Sequence, residues 1–215
     1  MRRALLFDLD GTLAETDSLH LPTWVEVLRP YGIEVDEGFY RERISGRSNS
    51  KILEDLLPDL SAEEGRELAD AKEASFRERA HELEPLPGLL DFMREGKSRN
   101  LSLALVTNAP EANVEAILLA LELRGLFDEV VLSDEVGPVK PDPAPYEAAL
   151  ERLGSTPGEA LAFEDSTSGI ASSVAAGIPT VGIASTQRAE TLEAAGAFMV
   201  AKDFTDPQLG KLLDR

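Results

Sequence analysis

The sequence predicts an α/β fold: a parallel sheet sandwiched by helices, interrupted after its first strand by an inserted α-helical domain. Three observations predict it. Residues 4–7 form an apolar run that stops at two acids, Asp8 and Asp10, followed by a Gly-Thr turn. Residues 16–83 then repeat apolar side chains at helical spacing, without β-branched runs. From Pro85 onward, short apolar segments alternate with helical ones, the pattern of parallel strands joined by right-handed crossovers.

Taken in order, Ala4 to Phe7 reads as a buried strand that delivers two carboxylates to its C-terminal edge, where open α/β sheets bind ligands. The helical block shows its period in Leu21, Trp24, Val25 and Leu28, and again in Ile52, Leu53, Leu56 and Leu57. It predicts helices over 18–31, 37–44, 48–57 and 62–81, the last opened by Ser61 with Glu63 and Glu64 behind it. Beyond it the pattern predicts helices near 88–95 and at 110–122, 143–153 and 167–176. Strands are expected at 101–107, 129–132, 160–164, 179–183 and near 197–200. The α/β domain is therefore expected to comprise 1–15 and 85–215, and the helical domain 16–84. The connections Ala14 to Asp17 and Glu84 to Gly88 are short enough for a lid hinged on two strands of chain.

Composition narrows the function. Forty acidic residues against 21 basic ones give a formal charge of −19, a field that repels nucleic acid and anionic membranes. An anionic substrate then requires a local cation cluster or a metal. Cysteine is absent, which fits a reducing compartment and removes thiol catalysis and Cys-ligated zinc. No run approaches the roughly 18 apolar residues of a membrane span. Met1-Arg2-Arg3 leads straight into the first strand, with no signal peptide between. A cytoplasmic protein is expected, acting on a small molecule as a monomer or weak dimer.

Three further strand ends carry polar chemistry. Thr107-Asn108 ends one strand just before Pro110, and a hydroxyl, an amide and free N–H groups at a helix start make a phosphate seat. Lys140 lies between Pro138 and Pro141, a stiff loop suited to holding a cation over an anion. Glu164-Asp165 follows the apolar run 160–163 and precedes a helix, where an acid is also a common cap. Together these edges present four carboxylates, one lysine and one hydroxyl-plus-amide. Four unpaired acids in a cleft repel one another, and a hard divalent cation with oxygen ligands, Mg²⁺, is the simplest resolution.

The order Asp8-Leu-Asp10-Gly-Thr, Thr107, Lys140-Pro-Asp, Glu164-Asp165 resembles the haloacid dehalogenase (HAD) superfamily of phosphotransferases over the whole chain. The resemblance is to its phosphoglycolate phosphatase-like and β-phosphoglucomutase-like members. It implies a Rossmann-like core with a small helical cap, and Asp8 as a nucleophile that forms an aspartyl-phosphate. It further implies Asp10 as general acid and base, and phosphoryl oxygens bound by Thr107, Asn108 and Lys140. Mg²⁺ would be held by Asp8, the main-chain carbonyl of Asp10, Glu164 and Asp165. The substrate implied is a small phosphorylated metabolite, of phosphosugar or phosphoglycolate type.

Within that resemblance, Thr16, His20 and Trp24 match a pattern of the mutase-like proteins. Ala109-Pro110 stands where those proteins have Ser-Lys, and Asn49 where they have Arg, with Arg47 close by. A mutase holds a sugar carrying two phosphates and needs a second cationic anchor, so a phosphatase is expected ahead of a phosphosugar mutase. His20 and Arg47 are the candidate substrate contacts of the helical domain. A phospho-receiver module is disfavoured because Asp8 and Asp10 share one strand and a helical insertion follows. Dehalogenase chemistry needs neither Asp10 nor the Glu164-Asp165 pair. A non-catalytic regulator that binds a phosphometabolite is the remaining alternative.

Overall fold

The computed structural model describes residues 3–213, so the first two residues of the Met1-Arg2-Arg3 start lie outside it. The chain divides into two compact units. One joins the segment up to Glu15 with the chain from Leu83 onward, and the other is Thr16–Glu82.

The first unit is built on a six-stranded, all-parallel sheet. Its strands are β1 (Ala4–Phe7), β2 (Ser102–Thr107), β3 (Glu129–Leu132), β4 (Ala160–Glu164), β5 (Thr180–Ile183) and β6 (Met199–Ala201), in spatial order β3-β2-β1-β4-β5-β6. The chain runs outward from β1 to β3 and then returns to β4 on the other side. β1 and β4 therefore flank the point where strand order reverses, the crevice in which such sheets bind ligands.

β1 is fully buried because both faces of a parallel sheet are covered. Its side chains alternate between two layers. Ala4 and Leu6 join Ala104, Val106, Ala160, Ala162, Tyr146 and Leu150 on one face. Phe7 belongs to an aromatic layer: it stacks on Phe163 with centroids 4.9 Å apart and meets Phe92, Phe127 and Phe204 at 6.0–6.5 Å. These rings pack one face of the sheet below the acid-bearing strand ends.

The second unit is helical: α1 (Asp17–Leu28), α2 (Glu37–Arg43), α3 (Asn49–Leu56) and α4 (Ala62–Arg79). Trp24, Leu28, Tyr40, Ile44, Ile52 and Leu53 form its core. Ser61 starts α4 as the sequence predicts. It accepts from the Glu64 N–H at 3.3 Å while Glu64 Oε2 accepts from the Ser61 N–H at 2.8 Å. The expected helix 18–31 ends earlier, at Leu28, and tightens into a 3₁₀ turn over Arg29–Tyr31 that contains Pro30, which has no N–H to continue the ladder.

The helices of the first unit are α5 (Leu89–Ser98), α6 (Glu111–Ala120), α7 (Ser133–Val136), α8 (Ala144–Arg152), α9 (Thr167–Ala175), α10 (Ala189–Ala195) and α11 (Pro207–Leu212). Three of them, α7, α10 and α11, are not predicted from sequence. Each is four to seven residues long, too short to display a helical period. The last strand sits at Met199–Ala201, slightly later than the predicted 197–200.

Candidate active site

Strand register assembles the site. Phe7 lies opposite Leu105 on one side and Phe163 on the other. The next residue of each chain, Asp8, Val106 and Glu164, therefore meets at the same edge. Asp8, Glu164 and Asp165 are all buried, and each offers a carboxylate oxygen within 4.8 Å of the others. Asp10, one turn beyond, is half-buried, and its main chain bridges to Ala14. Its charge is close enough to raise the pKa of both Asp8 and Asp165.

Lys140 enters this edge from the loop between α7 and α8, with its side chain only 4% exposed. Its amine donates to Asp8 Oδ1 at 2.6 Å, to Glu164 Oε1 at 2.6 Å and to the Val106 carbonyl at 2.7 Å. All three ammonium hydrogens are thereby used. The loop is pinned by Asn108: its Oδ1 accepts from the Lys140 N–H at 3.1 Å, and its Nδ2 donates to the Lys140 carbonyl at 3.4 Å. Ser133 Oγ lies 2.6 Å from the same Oδ1. The Asn108 side chain thus holds the lysine loop, while Thr107 Oγ1 accepts from the Ala109 N–H at 2.9 Å and keeps its own proton for another acceptor.

Charge is unbalanced here. Burial first, then the neighbouring Glu164 carboxylate, push the Asp8 carboxyl up to about 8, against the pull of Lys140. Burial, then Asp8, likewise raise Asp165 well above the usual carboxylate range, and the Thr186 hydroxyl only partly opposes them. Burial alone would lower the Lys140 amine, but the charges of Asp8 and Glu164 more than offset it and hold the amine above its ordinary value. One cation among three buried acids leaves a deficit of positive charge. An all-oxygen donor set of this size and burial fits a hard divalent cation.

The surroundings are shaped to the two acids of β4. Gly11 has φ +71°, and a Cβ there would overlap the Asp165 carboxylate, so both conformation and space require glycine. Thr186, in the loop after β5, donates to Asp165 Oδ2, and its neighbour Ser185 donates to the Gly11 carbonyl. Gly169, in the first turn of α9, leaves room for Glu164 in the same way. Ser166, not Asp165, caps α9 by accepting from the Gly169 N–H at 3.0 Å.

Sequence reasoning missed Tyr146, Ser133, Ser185 and Thr186. Tyr146, on α8, is fully buried and donates from its hydroxyl to Glu164 Oε1 at 2.6 Å. Burial and the adjacent Glu164 raise its phenol pKa. The one available signal was an aromatic four residues after Asp142, which reads equally as core.

Within the helical unit, the structure places His20 Nδ1 2.8 Å from the amine of Lys72 and stacks its ring on Phe76, with centroids 4.2 Å apart. An ammonium only donates, so His20 accepts through Nδ1. Lys72, also missed, is 2% exposed and donates to Glu73 Oε1 at 2.9 Å, which in turn accepts from Asn49 Nδ2 at 2.6 Å. Its signal was its place in the stripe Leu68, Ala69, Lys72, Phe76. Arg47 is bound within its own segment: it pairs with Asp55 and donates to the Arg43 carbonyl at 2.9 Å.

Comparison with known proteins places the chain in a family. A family model described as haloacid dehalogenase-like hydrolase matches residues 5–183. A phosphorylated carbohydrates phosphatase of Thermotoga maritima is 34% identical over 83% of this chain and 83% of its own length. A validoxylamine A 7'-phosphate phosphatase of Streptomyces hygroscopicus subsp. limoneus is 30% identical over 98% of this chain and 99% of its own. The crystal structure of CbbY from Rhodobacter sphaeroides in complex with phosphate has a TM-score of 0.85 at 31% identity, covering 96% of each chain. With the parallel sheet, the acid-bearing first strand and a match that spans the greater part of its length, the chain belongs to the haloacid dehalogenase-like hydrolases.

Proposed function

We propose that this hydrolase is a Mg²⁺-dependent phosphatase that cleaves a small phosphorylated metabolite, of phosphosugar or phosphoglycolate type, through an aspartyl-phosphate on Asp8. The observation that carries the reading is the convergence of Asp8, Lys140, Glu164 and Asp165 at one buried sheet edge. Two of the relatives named above are phosphatases, one of phosphorylated carbohydrates and one of validoxylamine A 7'-phosphate, which supports a phosphometabolite as substrate.

The chain's own residues divide the work. Asp8 supplies the attacking carboxylate oxygen, and Lys140, already bonded to Asp8, carries the positive charge that lets a phosphate dianion approach it. Thr107 donates its free hydroxyl proton to a phosphoryl oxygen, joined by main-chain N–H groups where α6 begins after Asn108. Asp10 protonates the leaving oxygen and then takes a proton from the water that hydrolyses the intermediate. Mg²⁺, held by Asp8, Glu164, Asp165 and the main-chain carbonyl of Asp10, would supply charge neutralisation and Lewis acidity when bound.

Hydrolysis is favoured over phosphosugar mutation because the cation nearest to a mutase anchor, Arg47, is held by Asp55 and by main-chain carbonyls. The helical unit then acts as a cap, with His20 as a substrate contact. The strongly acidic composition supports a partner set without nucleic acid or membrane, and a sequence without cysteine fits a reducing, cytoplasmic compartment. No helix among the described residues is long and apolar enough to cross a membrane.

The test is release of inorganic phosphate from an aryl phosphate and from a panel of phosphometabolites. Conversion of β-glucose 1-phosphate is measured beside it. Release that EDTA and Asp8→Asn both abolish is expected. Turnover surviving in Asp8→Asn overturns the mechanism, and isomerisation exceeding hydrolysis overturns the choice of phosphatase.

A further inference from the structure

We infer that Tyr146 is a positioning residue that selects which oxygen of Glu164 receives the divalent cation. The inference rests on the proposed cation site. Glu164 Oε1 accepts two bonds, from Tyr146 Oη and from Lys140 Nζ, both at 2.6 Å. Two good donors fill the lone-pair directions of that oxygen. Among the described residues Oε2 meets one long contact, 3.4 Å from Ser166 Oγ, while both oxygens lie over Gly169. Cation ligation by Glu164 therefore falls to Oε2.

The lysine alone does not fix this arrangement. Its amine is shared among three acceptors, whereas the phenol hydroxyl makes one bond and is carried on a rigid ring, fully buried in the core beside Ala149 and Leu150. That ring also lies 5.1 Å from the Lys140 amine, so one side chain sets both partners of the carboxylate. A buried tyrosine that merely satisfies its hydroxyl would need any acceptor. This one bonds the oxygen that also holds Lys140, which leaves the other oxygen for a cation.

Tyr146→Phe removes one atom and keeps the ring, its packing and its contact with the lysine. Mg²⁺ binding is measured directly by calorimetry on the substrate-free protein, with thermal unfolding in EDTA beside it. The expected result is a loss of Mg²⁺ affinity of about 10-fold or more, the range seen when groups that orient metal ligands are removed. In an Glu164→Gln background the same change should add less than about twofold, because the two act through one carboxylate. Unchanged Mg²⁺ affinity in a folded Tyr146→Phe protein overturns the inference, and equal losses in both backgrounds do so too. A wild-type protein that binds no Mg²⁺ overturns the cation site itself, a separable outcome. Should Tyr146→Phe fail to fold, the wild-type tyrosine difference spectrum on Mg²⁺ addition decides. Tyr146 is the one tyrosine of the α/β unit, and a signal lost in Glu164→Gln is expected; no signal overturns the inference.

Discussion

Lys140 Nζ lies 2.6 Å from Asp8 Oδ1, joining a loop residue to the end of the first strand across 132 positions of sequence. Both groups are buried, and the same amine also holds Glu164. The contact that orients the Asp8 carboxylate is thus also the main local charge compensation in the acid cluster.

Lys140→Met should lower phosphatase turnover at least about 100-fold, the effect of deleting one preorganised charge donor. It should also destabilise the metal-free protein by about 3 kcal/mol, since it leaves buried carboxylates without their partner. Steady-state kinetics and urea unfolding in EDTA measure the two effects. Lys140→Arg should not restore turnover, because a planar fork does not reproduce an amine held by three oxygens. Wild-type rates in Lys140→Arg would contradict this account of the pocket.

The Asp8 carboxyl sits near pKa 8 in the folded metal-free chain, above its ordinary value of 3.8. Folding therefore favours its protonated form. That contribution is complete below the unfolded value and is lost as pH rises through about 8. Urea midpoints in EDTA should fall between pH 5 and pH 8.5, and Asp8→Asn should flatten the slope. Cation uptake near pH 7 should expel protons from Asp8 and Asp165, read by calorimetry in buffers of different ionisation enthalpy.

Gly169→Ala offers a test of sign. In an ordinary helix interior the change stabilises by up to about 1 kcal/mol. Here the new Cβ would overlap the Glu164 carboxylate, which is buried and held by Lys140 and Tyr146. Net destabilisation and weaker Mg²⁺ binding are expected, and a rise in the unfolding midpoint would show that Glu164 has space the packing denies it.

Thr12 presents the reverse case. Its side chain is fully buried, and its hydroxyl has no hydrogen-bond partner among the described residues. Thr12→Val keeps the branched shape and removes the unsatisfied group, so the protein should gain about 1 kcal/mol in urea unfolding. A loss of that size would reveal a partner for the hydroxyl.

Much of this protein was legible in its sequence because the signals were local. Apolar runs ending in acids marked β1 and β4, Ser61 with Glu64 marked the start of α4, and three prolines marked a loop that holds its lysine. Short elements such as α7 and α10 lacked the length to show a period. Tyr146, Thr186 and Lys72 were illegible for a different reason. Each acts on a residue 18, 21 or 52 positions away, and nothing beside it in the chain distinguishes it from a core aromatic, a loop hydroxyl or a solvated lysine.

The sequence by itself determined the chemistry: which strands end in carboxylates, that one lysine is held stiffly, and that the acids outnumber the nearby cations. Only the tertiary structure decided the allocation of those groups. Register placed Asp8 between Val106 and Glu164, the packing of α8 set a phenol against one carboxylate oxygen, and the loop after β5 tied a hydroxyl to Asp165. Residue types fix what a site is able to do, while strand pairing and helix packing, which join positions far apart in the chain, fix which atom faces which.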